Sequence, residues 1–196
     1  MLPAFAFARP RDLAEAVREL ASPGAHLHAG GTDLLGCLRD GIFPAEKLVS
    51  LRKVAEGREI AEIPGGGLRL GALVPISGVA ASPLVRERFP GLAQAAADVA
   101  SPQLRNQGTL GGNLCQRPRC WYYRGDFPCA KKGGDLCYAV DGENRYHAIF
   151  GGGPCFIVHP SDTAPMLLAL EATLRLLGPE GERRLALAEF FQLPSE

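Results

Sequence analysis

Five of the six cysteines lie between residues 115 and 155: Cys115, Cys120, Cys129, Cys137 and Cys155. The same stretch concentrates glycine, arginine and aromatic residues. Thiolates that converge in a reducing compartment usually hold metal, and four suffice for an iron–sulfur cluster or a structural zinc. Structural zinc sites usually draw ligands from a tight knuckle with roughly two to four intervening residues. The nearest short pairing here is Cys115 with Cys120; the later cysteines stand farther apart. Longer spacings describe a loop folded over a larger object. Trp121, Tyr122, Tyr123 and Phe127 either shield such an object from water or simply pack the loop. On the residues alone, cluster and zinc both stay open. No basic leader with an apolar core is visible, so a disulfide framework is a poor default, and a cytoplasmic location is expected. Export with a signal-bearing partner stays open. Cys37 lies apart on an expected helix and reads as a small buried hydrophobe.

Two glycine loops offer a second kind of chemistry. Ala29-Gly30-Gly31-Thr32-Asp33 sits where a strand gives way to a helix, with the helix starting at Thr32 or Asp33. Glycines there allow a tight turn, and N–H groups at a helix start attract phosphate. The second loop, Thr109-Leu110-Gly111-Gly112-Asn113, lies far along the chain. Two such loops can clamp a long dinucleotide from two sides. Neither is the G-x-G-x-x-G fingerprint. No Ser-His-Asp arrangement or paired carboxylates suggest acid–base catalysis. His26, His28 and His147 have no partner at metal spacing and read as surface or satisfied core residues.

The elements that must position these loops follow from periodicity. A helix is expected over 12–20, strands over 25–29 and 47–51, and a helix between them. That order suggests a small parallel or mixed sheet with helices on it. Pro64-Gly65-Gly66-Gly67 reads as a boundary. A strand over 68–73, a short helix over 75–81 and a longer one over 84–99, broken at Pro90-Gly91, come next. After the cysteine loop, a buried strand is expected over 155–159 and a helix over 163–170. A hairpin over 172–187 and a last helical turn over 188–192 complete the reading.

AGGTDLL at Ala29–Leu35, SPQLRNQGTLGGN at Ser101–Asn113 and HPSD at His159–Asp162 together resemble the FAD-binding subunit of molybdenum hydroxylases. Xanthine dehydrogenase, carbon monoxide dehydrogenase and aldehyde oxidoreductases belong to that group. The resemblance implies an α+β protein with the PCMH-type FAD-binding fold of two α+β subdomains, here 1–55 and 56–196. It implies that Ala29, Gly30, Gly31, Thr32, Asp33 and Leu34 wrap the FAD pyrophosphate. Thr109, Gly112 and Asn113 then meet FAD from the second subdomain, with Ser101 a weaker candidate. Asp162 is expected near the nucleotide half of FAD, or as a helix N-cap.

The segment at about 114–155 resembles a narrower branch whose flavin subunit carries an additional [4Fe–4S] cluster. On that match the ligands are Cys120, Cys129, Cys137 and Cys155, and Cys115 is left out. The resemblance further implies electron transfer rather than catalysis on this chain. Its partners would be a molybdenum-cofactor large subunit and a [2Fe–2S] small subunit. It also implies a C-terminal domain on the order of 100 residues. The chain stops at Phe190–Glu196, inside the expected connection to that domain, so Phe190 and Phe191 are expected on a surface meant to be covered. The rival readings are a fragment that no longer holds FAD and a zinc-stabilised interaction module.

Composition bounds these readings without choosing between them. The chain has 196 residues, 46% hydrophobic and 21% charged, with formal net charge zero. That balance is ordinary for a folded domain and implies no nucleic-acid partner. No stretch is long and apolar enough to suggest a membrane span. Residues 101–150 carry seven Lys/Arg against four Asp/Glu. That local excess either offsets an anionic group or is a solvated loop.

Overall fold

Asp12 opens the first helix, its carboxylate accepting from the Glu15 N–H at 2.7 Å as an N-cap does. The computed structural model describes residues 1–192; Leu193–Glu196 lie outside the described residues. Helix α1 spans Leu13–Leu20 and α2 spans Leu34–Arg39. Strands β1 (Ala6–Ala8), β2 (Ala25–His28) and β3 (Lys47–Ser50) form a parallel sheet in the order β1-β3-β2. Parallel pairing of β2 with β3 requires a crossover, and α2 supplies it. The expected small sheet is therefore present. Strand β1 was not legible, because three short residues carry too little period to read. Leu48 and Val49 of β3 are fully buried, as a central strand covered on both faces should be.

The second part begins with β4 (Ile60–Ile63) and β5 (Gly67–Leu70), an antiparallel pair. Pro64–Gly66 is thus the turn of a hairpin, not a boundary. Gly65 and Gly66 both take positive φ, 89° and 85°, which side chains resist. Helices α3 (Ile76–Ala81), α4 (Pro83–Arg88) and α5 (Pro90–Asp98) follow. The expected break falls at Phe89, because Pro90 cannot continue the preceding helix. The chain then forms α6 (Pro102–Gln107) and α7 (Leu110–Leu114). The second glycine loop is therefore largely a short helix, with the Thr109 hydroxyl accepting from Gly112 N–H at 3.2 Å.

The cysteine segment is mostly loop, as expected, apart from α8 (Trp121–Arg124) and a 3-10 turn over Ala130–Lys132. Residues 155–159 are not a strand. Gly151, Gly152 and Gly153 all take positive φ, and the hydrogen bonds there are local: Gly153 N–H to Cys155 O and Ala148 N–H to Phe156 O. Helix α9 (Ala164–Ala169), the hairpin β6 (Thr173–Gly178) and β7 (Gly181–Ala186), and α10 (Leu187–Phe190) end the described chain. Among the described residues no helix is long and apolar enough to cross a membrane.

The main core joins α3, α4, α5, α7, α9 and Leu187 through Ile76, Val79, Val85, Leu92, Leu110 and Leu167. Phe190 and Phe191, expected on an open surface, pack half-buried against that core instead. Phe191 also meets the His159 ring at 4.6 Å. One polar knot is sealed inside. Asn113 Oδ1 accepts from Ser161 Oγ at 2.6 Å and from Thr163 Oγ1 at 2.7 Å. Ser161 Oγ in turn accepts from Ala164 N–H at 3.1 Å. Buried polar groups are costly unless each finds a partner, and here the two hydroxyls share one acceptor. Asn113→Leu leaves both hydroxyls without it. The variant should lose about 2 kcal/mol of stability, seen as a lower urea midpoint at unchanged slope.

Candidate functional site

The two glycine loops touch. A Cβ on Gly30 would sit 2.0 Å from Gln107 O and 3.1 Å from Gly108 Cα. Only glycine fits where these backbones meet. Thr32 lies on the same seam, its hydroxyl 3.5 Å from where a Gly108 Cβ would be. The loops differ in what they leave free. Leu110 N–H bonds Val74 O, Gly111 N–H bonds Ala72 O, and Asn113 N–H bonds Thr109 O. With Gly112 N–H on the Thr109 hydroxyl, the second loop spends its donors internally. Among the described residues, the N–H groups of Gly30, Gly31, Thr32 and Asp33 have no partner within the protein. This open row at the start of α2 suits an anion, as phosphate-binding turns do. On that observation the first loop fits a pyrophosphate.

Asp33 was expected within that row. The structure gives its side chain a different task. Asp33 Oδ2 accepts from Arg117 N–H at 2.8 Å, and Oδ1 accepts from Arg124 Nη2 at 2.8 Å. Arg119 adds charge at 3.8 Å. Arg124 spends further donors on this region: Nε donates to Pro118 O at 2.7 Å, Nη2 also to Arg117 O at 3.1 Å, and Nη1 to Cys37 Sγ at 2.8 Å. The guanidinium thus ties the first glycine loop, α2 and the entry to the cysteine segment together. It also offsets a carboxylate that would otherwise repel phosphate beside it. Cys37 is fully buried, as expected. Burial pushes its thiol pKa up, with Asp33 adding to the rise and Arg124 opposing it. Neither Arg124 nor Arg117 stood out in the sequence, because an arginine in a basic loop looks solvated.

Cys120, Cys129, Cys137 and Cys155 all line one narrow cavity with Tyr122, Tyr123, Tyr138, Lys131 and Ile157. Cys115 is exposed and outside it, and all six cysteines are unpaired. Burial pushes the Cys155 thiol up, and neighbouring Cys137 and Cys120 add to the rise against Lys131. Yet no three His, Cys, Asp or Glu among the described residues gather as a single-ion site. The donor set fits a thiolate-bound cluster in kind: four thiols, a cation and an aromatic wall. Tyr122 and Tyr123 form part of that wall, and Phe127 braces Tyr122 at 5.1 Å. Trp121 does not, since it is 69% exposed. Tyr123, Cys129, Cys37 and Ile42 share one small buried cluster, so the cysteine loop sits directly on the first part of the chain.

The remaining expected residues have plain positions. Ser101 caps α6, accepting from Leu104 N–H at 3.4 Å. Thr109 and Asn113 are buried in the bonds described above. Asp162 is exposed and is not the cap of α9; Ser161 does that work. His26 meets Pro44 O at 3.1 Å. His28 and His147 were expected to be surface or satisfied residues, but each buries an Nδ1 without a partner. The His28 ring lies under the first glycine loop, its Nε2 2.7 Å from where a Gly31 Cβ would be.

Residues 3–196 match the family described as FAD binding domain in molybdopterin dehydrogenase, and the chain belongs to that family. It is 38% identical to the aldehyde oxidoreductase FAD-binding subunit PaoB of Escherichia coli K12 over 198 residues. That alignment covers 98% of this chain and 62% of PaoB. It is 37% identical to the carbon monoxide dehydrogenase medium chain of Hydrogenophaga pseudoflava over 114 residues, 57% of this chain and 39% of that one. A solved carbon monoxide dehydrogenase from the same organism superposes with TM-score 0.73 at 28% identity, covering 98% of this chain and 53% of that one. The chain therefore spans less than two thirds of each of these relatives, from 39% to 62% of their length. The α+β expectation is borne out.

Burial lowers the pKa of His28 below the ordinary 6.5, and burial lowers that of His159 likewise. The unfolded chain then takes up these protons first as pH falls. Stability is full above about pH 6.5 and declines below it until the folded imidazoles also protonate. Urea midpoints measured from pH 8 to 5 should show this fall, and His28→Leu should flatten it.

Proposed function

We propose that this chain is the FAD-carrying, electron-transferring part of a molybdenum-containing oxidoreductase of the aldehyde or xanthine dehydrogenase type. Its subdomains are 1–55 and 56–196. FAD lies between them, on Ala29–Leu34 from the first and near Ser101, Thr109, Gly112, Asn113 and Asp162 from the second. A [4Fe–4S] cluster is held by Cys120, Cys129, Cys137 and Cys155. The partners are a molybdenum-cofactor large subunit and a [2Fe–2S] small subunit, in the cytoplasm. The observation that carries the reading is the tie, through Arg124, between the loop with the open N–H row and the segment whose four thiols line one cavity.

Bound FAD supplies two-electron to one-electron exchange between the partner centres and an external acceptor. The chain's residues hold and tune. Gly30–Asp33 donate N–H groups to the pyrophosphate, and Arg124 keeps the adjacent carboxylate from opposing it. Asn113, Ser161 and Thr163 fix the second loop so that its shape does not depend on ligand. The four thiols must lose protons to bind iron, and Lys131 on the cavity wall favours the resulting charge.

A cluster rather than zinc is supported by the long spacings between four thiols that line one cavity. Metal and flavin analysis of the anaerobically purified complex tests this. Replacing any one of the four cysteines by serine should lower iron by about four atoms per complex, whereas Cys115→Ser should leave it unchanged. Flavin absorbance should be present throughout. One zinc per chain with no iron lost in the variants would overturn the assignment.

A further inference from the structure

His147 Nε2 lies 3.2 Å from Cys120 Sγ. Its other nitrogen, Nδ1, is buried and has no partner. A neutral imidazole carries its proton on one nitrogen only. A buried N–H with no acceptor is the costlier arrangement, so the proton belongs on Nε2, facing the sulfur. A metal-bound thiolate has no proton to give and can only accept.

The ring is held there by the same loop that presents the cysteine. Tyr122, two residues after Cys120, accepts from Glu143 N–H at 2.6 Å through its hydroxyl. Gly142 passes so close that a Cβ would fall 2.2 Å from that hydroxyl oxygen, so only glycine permits the contact. His147 N–H closes a turn on Asn144 O at 2.9 Å, and Ala148 N–H bonds Phe156 O at 2.9 Å. The backbone that carries His147 is therefore tied on one side to Tyr122, two residues after Cys120, and on the other to Phe156, next to Cys155. Among the described residues, no other cysteine lining the cavity receives a side-chain hydrogen bond of this kind.

We infer that His147 is a positioning residue for the metal centre: its Nε2–H donates to the Cys120 sulfur and raises the reduction potential of the cluster. A donor on a ligand sulfur stabilises the reduced state, which carries one more negative charge, over the oxidised state. The inference rests on the four-cysteine cluster proposed above, and its test separates the two.

Potentiometric titration followed by EPR, with iron analysis of the same samples, is carried out on the purified complex. In His147→Leu the ratio of reduced to oxidised cluster at fixed potential should fall about fivefold, which is about 40 mV more negative for a one-electron couple. His147→Gln keeps an N–H donor and should recover part of that shift. Full iron with an unchanged potential in His147→Leu overturns the inference while leaving the cluster intact. Absence of iron from the wild type overturns the cluster assignment instead. Wild-type protein grown with 15N-histidine provides a reading that does not depend on a variant folding. The reduced cluster should show a weak nitrogen coupling, as expected across a hydrogen bond. No coupling, or one of the size of direct ligation, overturns the inference.

Discussion

Asp33 and Arg124 meet at 2.8 Å, each about four-fifths buried, and three parts of the molecule are arranged around that contact. The carboxylate comes from the last residue of the first glycine loop. The guanidinium comes from the end of α8, in the cysteine segment, 91 residues later. A largely buried charge pair of this kind is worth keeping only when most of the remaining donors and acceptors also find partners. Here two backbone carbonyls and the Cys37 sulfur accept from the guanidinium, and Arg117 N–H donates to the second carboxylate oxygen. The loop that offers free N–H groups is thereby braced by the loop that offers thiols.

The bracing lets the two loops divide the work. The first must stay open, because its N–H row is what an anion would meet, so its shape has to be imposed from outside. Arg124 does this on one side and Gln107-Gly108 on the other. The second loop spends its N–H groups on Ala72, Val74 and Thr109 and buries Asn113 against Ser161 and Thr163. It is held by the core around it. The cysteine segment has almost no regular structure, and is built from single turns, aromatic contacts, the Glu143 N–H donating to the Tyr122 hydroxyl, and the contact of His147 with Cys120.

Period and punctuation were enough to read α1, α2, the β2-α2-β3 unit, the α4/α5 break and the last hairpin. Each is a run whose burial pattern repeats or whose proline and glycine can act in one way only. The misreadings have physical causes. Pro64–Gly67 looked like a linker because a glycine turn and a flexible joint share a composition. Residues 155–159 looked like a strand because an apolar run does not reveal that no neighbouring edge awaits it. The thiols that share a cavity were legible, since cysteines are few. The groups that tune and brace them were not. Arg124, Ser161 and His147 are ordinary residue types, and their roles depend on partners from 48 to 91 residues away in two cases and on a single buried nitrogen in the third.

The first glycine loop and the cysteine loop form one unit through Asp33 and Arg124. A double-mutant cycle measures that link directly, with Asp33→Asn, Arg124→Met and the pair compared by urea unfolding. The two single losses together should exceed the loss in the double variant by about 2 kcal/mol. Losses that simply add would contradict it.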